Sequence, residues 1–153
     1  MDLVDKIAAM QEMSAGWRSA GDIVAVVPTM GFLHDGHTAL IRRAREEADR
    51  VVVTIFVNPT QFGPEEDFDR YPRDLDNDLE RCKEASVDTI FMPTVDEMYP
   101  EGSSTWVREE SLSRSLCGVR RPDHFKGVTT VVCKLFHAVL PDVAVFGDKD
   151  FQQ

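Results

Sequence analysis

His34 and His37 stand three residues apart in the run Pro28-Thr29-Met30-Gly31-Phe32-Leu33-His34-Asp35-Gly36-His37, with glycine at positions 31 and 36. Imidazoles at this spacing in a turn can point into one pocket and donate N–H to phosphate oxygens whose charge grows during transfer. Gly31 and Gly36 let backbone approach a ligand closely. A competing reading makes both histidines surface polar residues on a turn shaped by the glycines. Zinc is a third reading, but it lacks a nearby third ligand. The order strand, glycine turn, paired histidines and helix is what favours phosphate chemistry.

The flanking elements follow from periodicity. Residues 22–27 form a β-branched run after Gly21, which predicts a buried strand of a parallel sheet. Leu40, Ile41, Ala44 and Ala48 recur at helical spacing, with Arg42, Arg43, Arg45, Glu46 and Glu47 outside, so a helix begins near Gly36 or His37. Its N-terminus would offer unpaired N–H groups and a positive dipole end to an anion. Residues 50–57 read as a second buried strand ending at Asn58-Pro59, and residues 60–73 as a loop large enough to serve an active site. Leu75, Leu79, Cys82 and Ala85 mark a helix, and residues 87–92 a third strand stopped by Pro93. From 94 to 121 the pattern weakens, with short strands expected around Trp106-Val107. Val128, Val131, Val132, Leu135, Phe136, Val139 and Leu140 share one helical face before Pro141, and residues 142–146 give a last strand. This alternation predicts an α/β, doubly wound parallel sheet, with its ligand at the carboxyl ends of the strands where their order reverses.

Other polar clusters fall at those same ends. Asn58 and Gln61 follow the second strand, and Gln152-Gln153 the last. Amides can orient hydroxyls and a carboxylate without neutralising the latter, although each could equally satisfy local backbone. Gly147-Asp148-Lys149-Asp150 offers a close backbone approach and an ammonium that can follow phosphate charge, or else an ordinary surface turn. Asp76, Asn77 and Asp78 could help place Mg2+, or could simply complement a helix dipole. Arg120, Arg121, His124 and Lys126 could supply local positive potential, or form a solvated turn.

Composition narrows the class. A chain of 153 residues makes one domain able to bury roughly two thirds of its unfolded surface. With 17 Lys+Arg against 27 Asp+Glu the formal charge is −10, which disfavours nucleic acid and anionic membrane as partners. Cys82, Cys117 and Cys133 form no CxxC pair, so a disulfide framework is not expected. The first seven residues do not resemble a signal peptide, and no apolar run approaches the length of a membrane span. A cytoplasmic protein is expected.

Five separated blocks then resemble one family. The run 28–37 is similar to the HIGH-type motif of the pantothenate synthetases. Matching it in order are Phe56-Val57-Asn58-Pro59-Thr60-Gln61-Phe62, Tyr71-Pro72-Arg73, Arg121-Pro122-Asp123-His124-Phe125-Lys126-Gly127-Val128 and Gly147-Asp148-Lys149-Asp150-Phe151-Gln152-Gln153. The resemblance implies a Rossmann-like, nucleotidylyl-transferase fold and an ATP-dependent ligase that joins pantoate to β-alanine through a pantoyl adenylate, with Mg2+. It assigns Met30, Gly31, Phe32, Leu33, His34, Asp35, Gly36, His37, Gly147, Asp148, Lys149 and Asp150 to ATP. It gives Gln61, Gln153 and Asn58 to pantoate, and Gln61 also to β-alanine. His37, His34 and Lys149 would stabilise the reacting phosphate, and no metal ligand is fixed. The family carries a second, C-terminal domain, so residues 1–153 are expected to be the N-terminal ATP- and pantoate-binding domain, with weak or absent turnover alone. A homodimer is implied as well. The rival readings are a non-catalytic binding or dimerisation fragment and a nucleotidylyltransferase of the same superfamily.

Overall fold

In a computed structural model, which describes residues 1–63, 68 and 70–153, five strands form one parallel sheet in the order β1-β4-β3-β2-β5. The strands are β1 (Asp2–Val4), β2 (Val24–Thr29), β3 (Arg50–Ile55), β4 (Thr89–Phe91) and β5 (Val143–Ala144). The helices are α1 (Ile7–Ala20), α2 (Asp35–Glu47), α3 (Leu75–Glu84), α4 (Val95–Met98), α5 (Cys117–Arg120) and α6 (His124–Val139). Alternate strand residues face opposite ways. Val24, Val26, Val52 and Phe91 therefore pack on Met10 of α1 and on Val131, Leu135 and Val139 of α6. Ala25, Val27, Val51, Val53 and Ile90 pack on Ile41 and Ala44 of α2 and on Cys82 of α3. Two layers of helix thus enclose a sheet that is apolar on both faces, as the β-branched runs require.

Several boundaries differ from the sequence expectation. Both β1 and α1 lie outside it, the first because three residues carry no periodicity. The strand expected at 22–27 lies at Val24–Thr29, so it includes Pro28. The carbonyls of Val24 and Val26 accept from Asp142 and Val145, so Pro28 faces the β5 side as well. The next rung there would need an N–H at position 28, which proline lacks. This is why β5 stops after Val143–Ala144 instead of running through 142–146. No strand forms at Trp106-Val107. Val107 is pinned instead by side chains of α6, its N–H donating to Thr130 Oγ1 at 3.0 Å and its carbonyl accepting from Thr129 Oγ1 at 2.7 Å.

All three cysteines are free. Burial pushes the Cys82 thiol up to about 12, with Asp78 adding to the shift, so this cysteine acts as a small apolar core residue. Among the described residues no helix is long and apolar enough to cross a membrane.

Candidate active site

Strand order reverses at β2, which has β3 on one side and β5 on the other. The histidine turn leaves the carboxyl end of β2, Asn58 and Gln61 follow β3, and residues 147–150 follow β5. The turn is anchored first by Thr29, whose Oγ1 donates to the Thr54 carbonyl at 2.6 Å and accepts from Gly31 N–H at 3.1 Å. Gly31 and Phe32 then take left-handed φ values of +82° and +53°. A non-glycine residue there costs about 1–3 kcal/mol. What holds it is Asp78 of α3, which is buried and accepts the N–H groups of Phe32 at 2.9 Å and Leu33 at 2.6 Å. Charge-assisted bonds of this kind contribute about 1.5–3 kcal/mol each, enough to offset the strain. A Cβ at Gly31 would lie 3.0 Å from Asp78 Oδ2. Phe32 and Leu33 therefore cannot offer the free N–H groups that a phosphate-binding turn would use.

His34 is the N-cap of α2. Its Nδ1 accepts from Gly36 N–H at 3.1 Å, while His37 Nδ1 accepts from His34 N–H at 3.3 Å. Each Nδ1 is thus an acceptor without a proton, and each ring carries its hydrogen on Nε2. The ring centroids stand 4.2 Å apart. His37 titrates below the usual histidine range, chiefly through burial and then through His34 and Lys149, while Asp78 and Asp150 pull the other way. The folded chain therefore prefers neutral His37. Its contribution to stability is complete above about pH 6.5, the ordinary histidine value, and is lost as pH falls through the lower folded value. A cap is worth about 0.5–2 kcal/mol. Melting temperature should accordingly drop between pH 7 and pH 5, and drop less in His37→Gln, which retains an acceptor that does not titrate.

The second cluster is a relay of amides. Asn58, 1% exposed, accepts at Oδ1 from Thr60 N–H at 3.4 Å, Thr60 Oγ1 at 3.0 Å and Tyr99 OH at 2.9 Å. Its Nδ2 donates to the Gly127 carbonyl at 3.2 Å and to Gln61 Oε1 at 3.0 Å. Backbone partners on both sides fix the Asn58 orientation, because an N–H must donate and a carbonyl must accept. Gln61 is fixed in turn: Oε1 faces Asn58, and Nε2 faces Met30 Sδ at 3.4 Å. A thioether is a weak acceptor, so a buried amide keeps donor capacity for a ligand oxygen. The Gln61 carbonyl accepts from His124 Nδ1 at 2.9 Å and Arg121 Nη2 at 3.2 Å. Lys126 instead lies 4.5 Å from the Trp106 ring centroid. Of the basic residues expected to supply positive potential, Arg121 and His124 hold the turn, Lys126 packs on an aromatic, and Arg120 is exposed.

Lys149 is 78% exposed and donates to Asp150 at 2.8 Å, yet both residues act electrostatically on His37 and on Tyr71. The structure thus gathers His34, His37, Lys149 and Asp150 around one end of the sheet. Gly147 caps the short 3-10 turn Asp148–Asp150. Asp35 reaches outward to Arg81 at 2.9 Å. Gln153 is exposed and tied through its N–H to the Asp150 carbonyl, and among the described residues no hydrogen bond joins it to Gln61. Gln152 turns away toward Cys117, Leu112 and Ser115. A cavity of about 340 Å³ lined by Met30, Gly31, Phe56, Arg73, Asp78 and Met92 adjoins the turn. Part of the expected loop, residues 64–67 and 69, lies outside the described residues.

Among the described residues no three His, Cys, Asp or Glu side chains gather to hold a metal. Asp76 is exposed, Asp78 is committed to the turn, and Asn77 donates to the Leu33 carbonyl at 3.3 Å, an arrangement in keeping with the helix-terminus alternative for this trio. Tyr99 was absent from the sequence reading, and neither the hold of Asp78 on the histidine turn nor the contact of Gly127 with Asn58 was foreseen. Asp78 had a signal: a carboxylate at position 78 shares the i, i+3, i+4, i+7 face of Leu75, Leu79 and Cys82.

A family model described as pantoate-beta-alanine ligase matches residues 2–153. The chain is 55% identical over 153 residues to the pantothenate synthetase of Syntrophotalea carbinolica and 56% to that of Geobacter sulfurreducens, covering all of this chain and 54% of each relative. It spans about half the length of the curated relatives it matches. The crystal structure of pantothenate synthetase from Thermus thermophilus aligns with a TM-score of 0.90 at 50% identity, over 99% of this chain and 54% of that one. Pantoate-beta-alanine ligase from Francisella tularensis, complexed with beta-gamma ATP and beta-alanine, aligns with a TM-score of 0.93 at 37% identity, over 100% of this chain and 59% of that one.

Proposed function

Because this chain belongs to the pantoate-beta-alanine ligase family, we propose that it binds ATP and pantoate and takes part in joining pantoate to β-alanine. A pantoate carboxylate oxygen attacks the α-phosphorus of ATP, and the bond to pyrophosphate breaks. The β-alanine amine then attacks the acyl carbon of the pantoyl adenylate, and AMP leaves. No protein residue is acylated, so the chain's task is positioning and charge stabilisation. His34 and His37 donate from neutral Nε2–H to oxygens that gain charge, and Lys149 adds an ammonium. Gln61 donates from Nε2 to an oxygen of pantoate, with Asn58 as its support and Gln153 as a further contact, and the same Gln61 borders the β-alanine position. The ATP site is formed by residues 30–37 and 147–150, with Phe32 and Leu33 contributing atoms other than their N–H groups. Mg2+ accompanies the triphosphate, which supplies oxygen ligands of its own.

The observation that supports this reading best is the buried Gln61 amide, whose Nε2 among the described residues meets a thioether, a weak acceptor. Calorimetry with pantoate and MgATP, paired with pyrophosphate release on adding β-alanine, tests it. Binding of both ligands is expected; binding of neither ends the proposal, and a stable nucleotidyl product in place of AMP points to nucleotidylyl transfer. A second copy of this chain is the proposed partner, seated on the exposed stretch of Leu112, Leu116 and Val119, each more than 70% exposed. Light scattering should then report twice the chain mass of 17.3 kDa.

A further inference from the structure

We infer that Asp78 and Asn77 are positioning residues, which from α3 hold the histidine turn in its binding geometry without touching the nucleotide. The inference rests on the assignment of residues 30–37 to ATP. Asp78 accepts the N–H groups of Phe32 and Leu33 with its two separate carboxylate oxygens, at 2.9 and 2.6 Å. Asn77 donates to the Leu33 carbonyl at 3.3 Å, so Leu33 is gripped at both its backbone polar groups by consecutive residues of one helix. One helical turn later Arg81 donates to Asp35 at 2.9 Å. Positions 77, 78 and 81 therefore hold residues 32, 33 and 35 of the turn.

The clamp sets the geometry of the histidines next to it in the chain. Phe32 holds a left-handed φ of +53° that a free turn would relax. His34 N–H, immediately after the gripped Leu33, donates to His37 Nδ1, and this bond puts the hydrogen of His37 on Nε2. Asp78 also places an internal anion on the two N–H groups that a phosphate-binding turn would otherwise present. Phosphate oxygens must then be met by the imidazole donors and Lys149, not by the backbone of 32 and 33. Gln61 is held from elsewhere, through Asn58, Arg121 and His124. Loosening the clamp should consequently affect one ligand and spare the other.

Asp78→Asn keeps the shape but turns an amide N–H toward one of the two backbone donors. In this variant MgATP affinity is expected to fall at least tenfold by calorimetry while pantoate affinity stays within twofold, and amide exchange at Phe32, Leu33 and His34 is expected to quicken. Should the variant fail to fold, Asn77→Ala removes only the Leu33 carbonyl bond, and a loss of about threefold for MgATP alone is expected. A folded Asp78→Asn protein that binds MgATP within twofold of wild type, or that loses pantoate to the same degree, overturns the inference. If wild type binds no MgATP, the assignment of the turn to ATP fails. The exchange rates at 32–34 then still decide whether Asp78 holds the turn.

Discussion

Gly127→Ala is expected to destroy pantoate binding and to lower stability by about 3 kcal/mol, at the upper end of what overpacking costs. The reason is a backbone approach that no methyl group fits. A Cβ on Gly127 would lie 2.4 Å from the Thr60 carbonyl oxygen and 2.8 Å from Gln61 Cα, and neither is the movable end of a side chain. Relief requires the turn Pro59–Gln61 to back away from α6. That motion lengthens the Asn58 bond to the Gly127 carbonyl and draws Gln61 from His124 and Arg121. Binding and folding are thus lost together. Urea denaturation and pantoate calorimetry on the same preparation check both. A variant with wild-type affinity would show that the close approach has no bearing on the amide site.

Asn58→Asp should be at least as damaging to stability near neutral pH, although only one atom changes. The two donors of Nδ2 become an oxygen facing the Gly127 and Gln61 carbonyl-type oxygens at about hydrogen-bond distance. An uncompensated buried charge costs about 3–5 kcal/mol, and burial raises the pKa of such a carboxyl. The sign follows from that rise. The folded variant binds a proton more tightly than the unfolded chain does, so the protonated acid is favoured below about pH 4, the ordinary aspartate value, and stability is lost as pH climbs through the raised folded value. Measured against wild type at each pH, the deficit in unfolding free energy should be largest near neutrality and shrink toward acid. A deficit independent of pH would show that Asn58 matters by shape alone.

These effects show where local sequence stops being informative. The buried strands announced themselves because a sheet covered on both faces needs unbroken β-branched runs such as Val51-Val52-Val53. Helix α2 was legible from Ile41 and Ala44 against a charged outer face. By contrast α1 shows a thin inward stripe, with Ser14 among its buried positions, and α6 begins at His124 before its apolar face does. Within the site, residue types pointed to phosphate and to a hydrogen-bonding acid, and His34, His37, Asn58 and Gln61 do fall at neighbouring strand ends. What spacing cannot encode is the direction of each hydrogen bond. That Gln61 presents Oε1 to Asn58 and Nε2 to Met30 depends on the fixing of Asn58 by partners as distant in the chain as Tyr99 and Gly127. Gln153 shows the opposite case, since its type suits the role while its backbone bond to Asp150 leaves the side chain exposed.

A subtraction shapes the mouth of this site. The ring nitrogen of Pro28 gives the last strand nothing further to zip onto, so the chain beyond Val145 peels off the sheet just where the histidine turn departs on the other side. The segment bearing Lys149 thereby leaves the ladder as a short 3-10 turn whose charge acts on His37. Where the molecule opens is decided by one hydrogen that the backbone does not have.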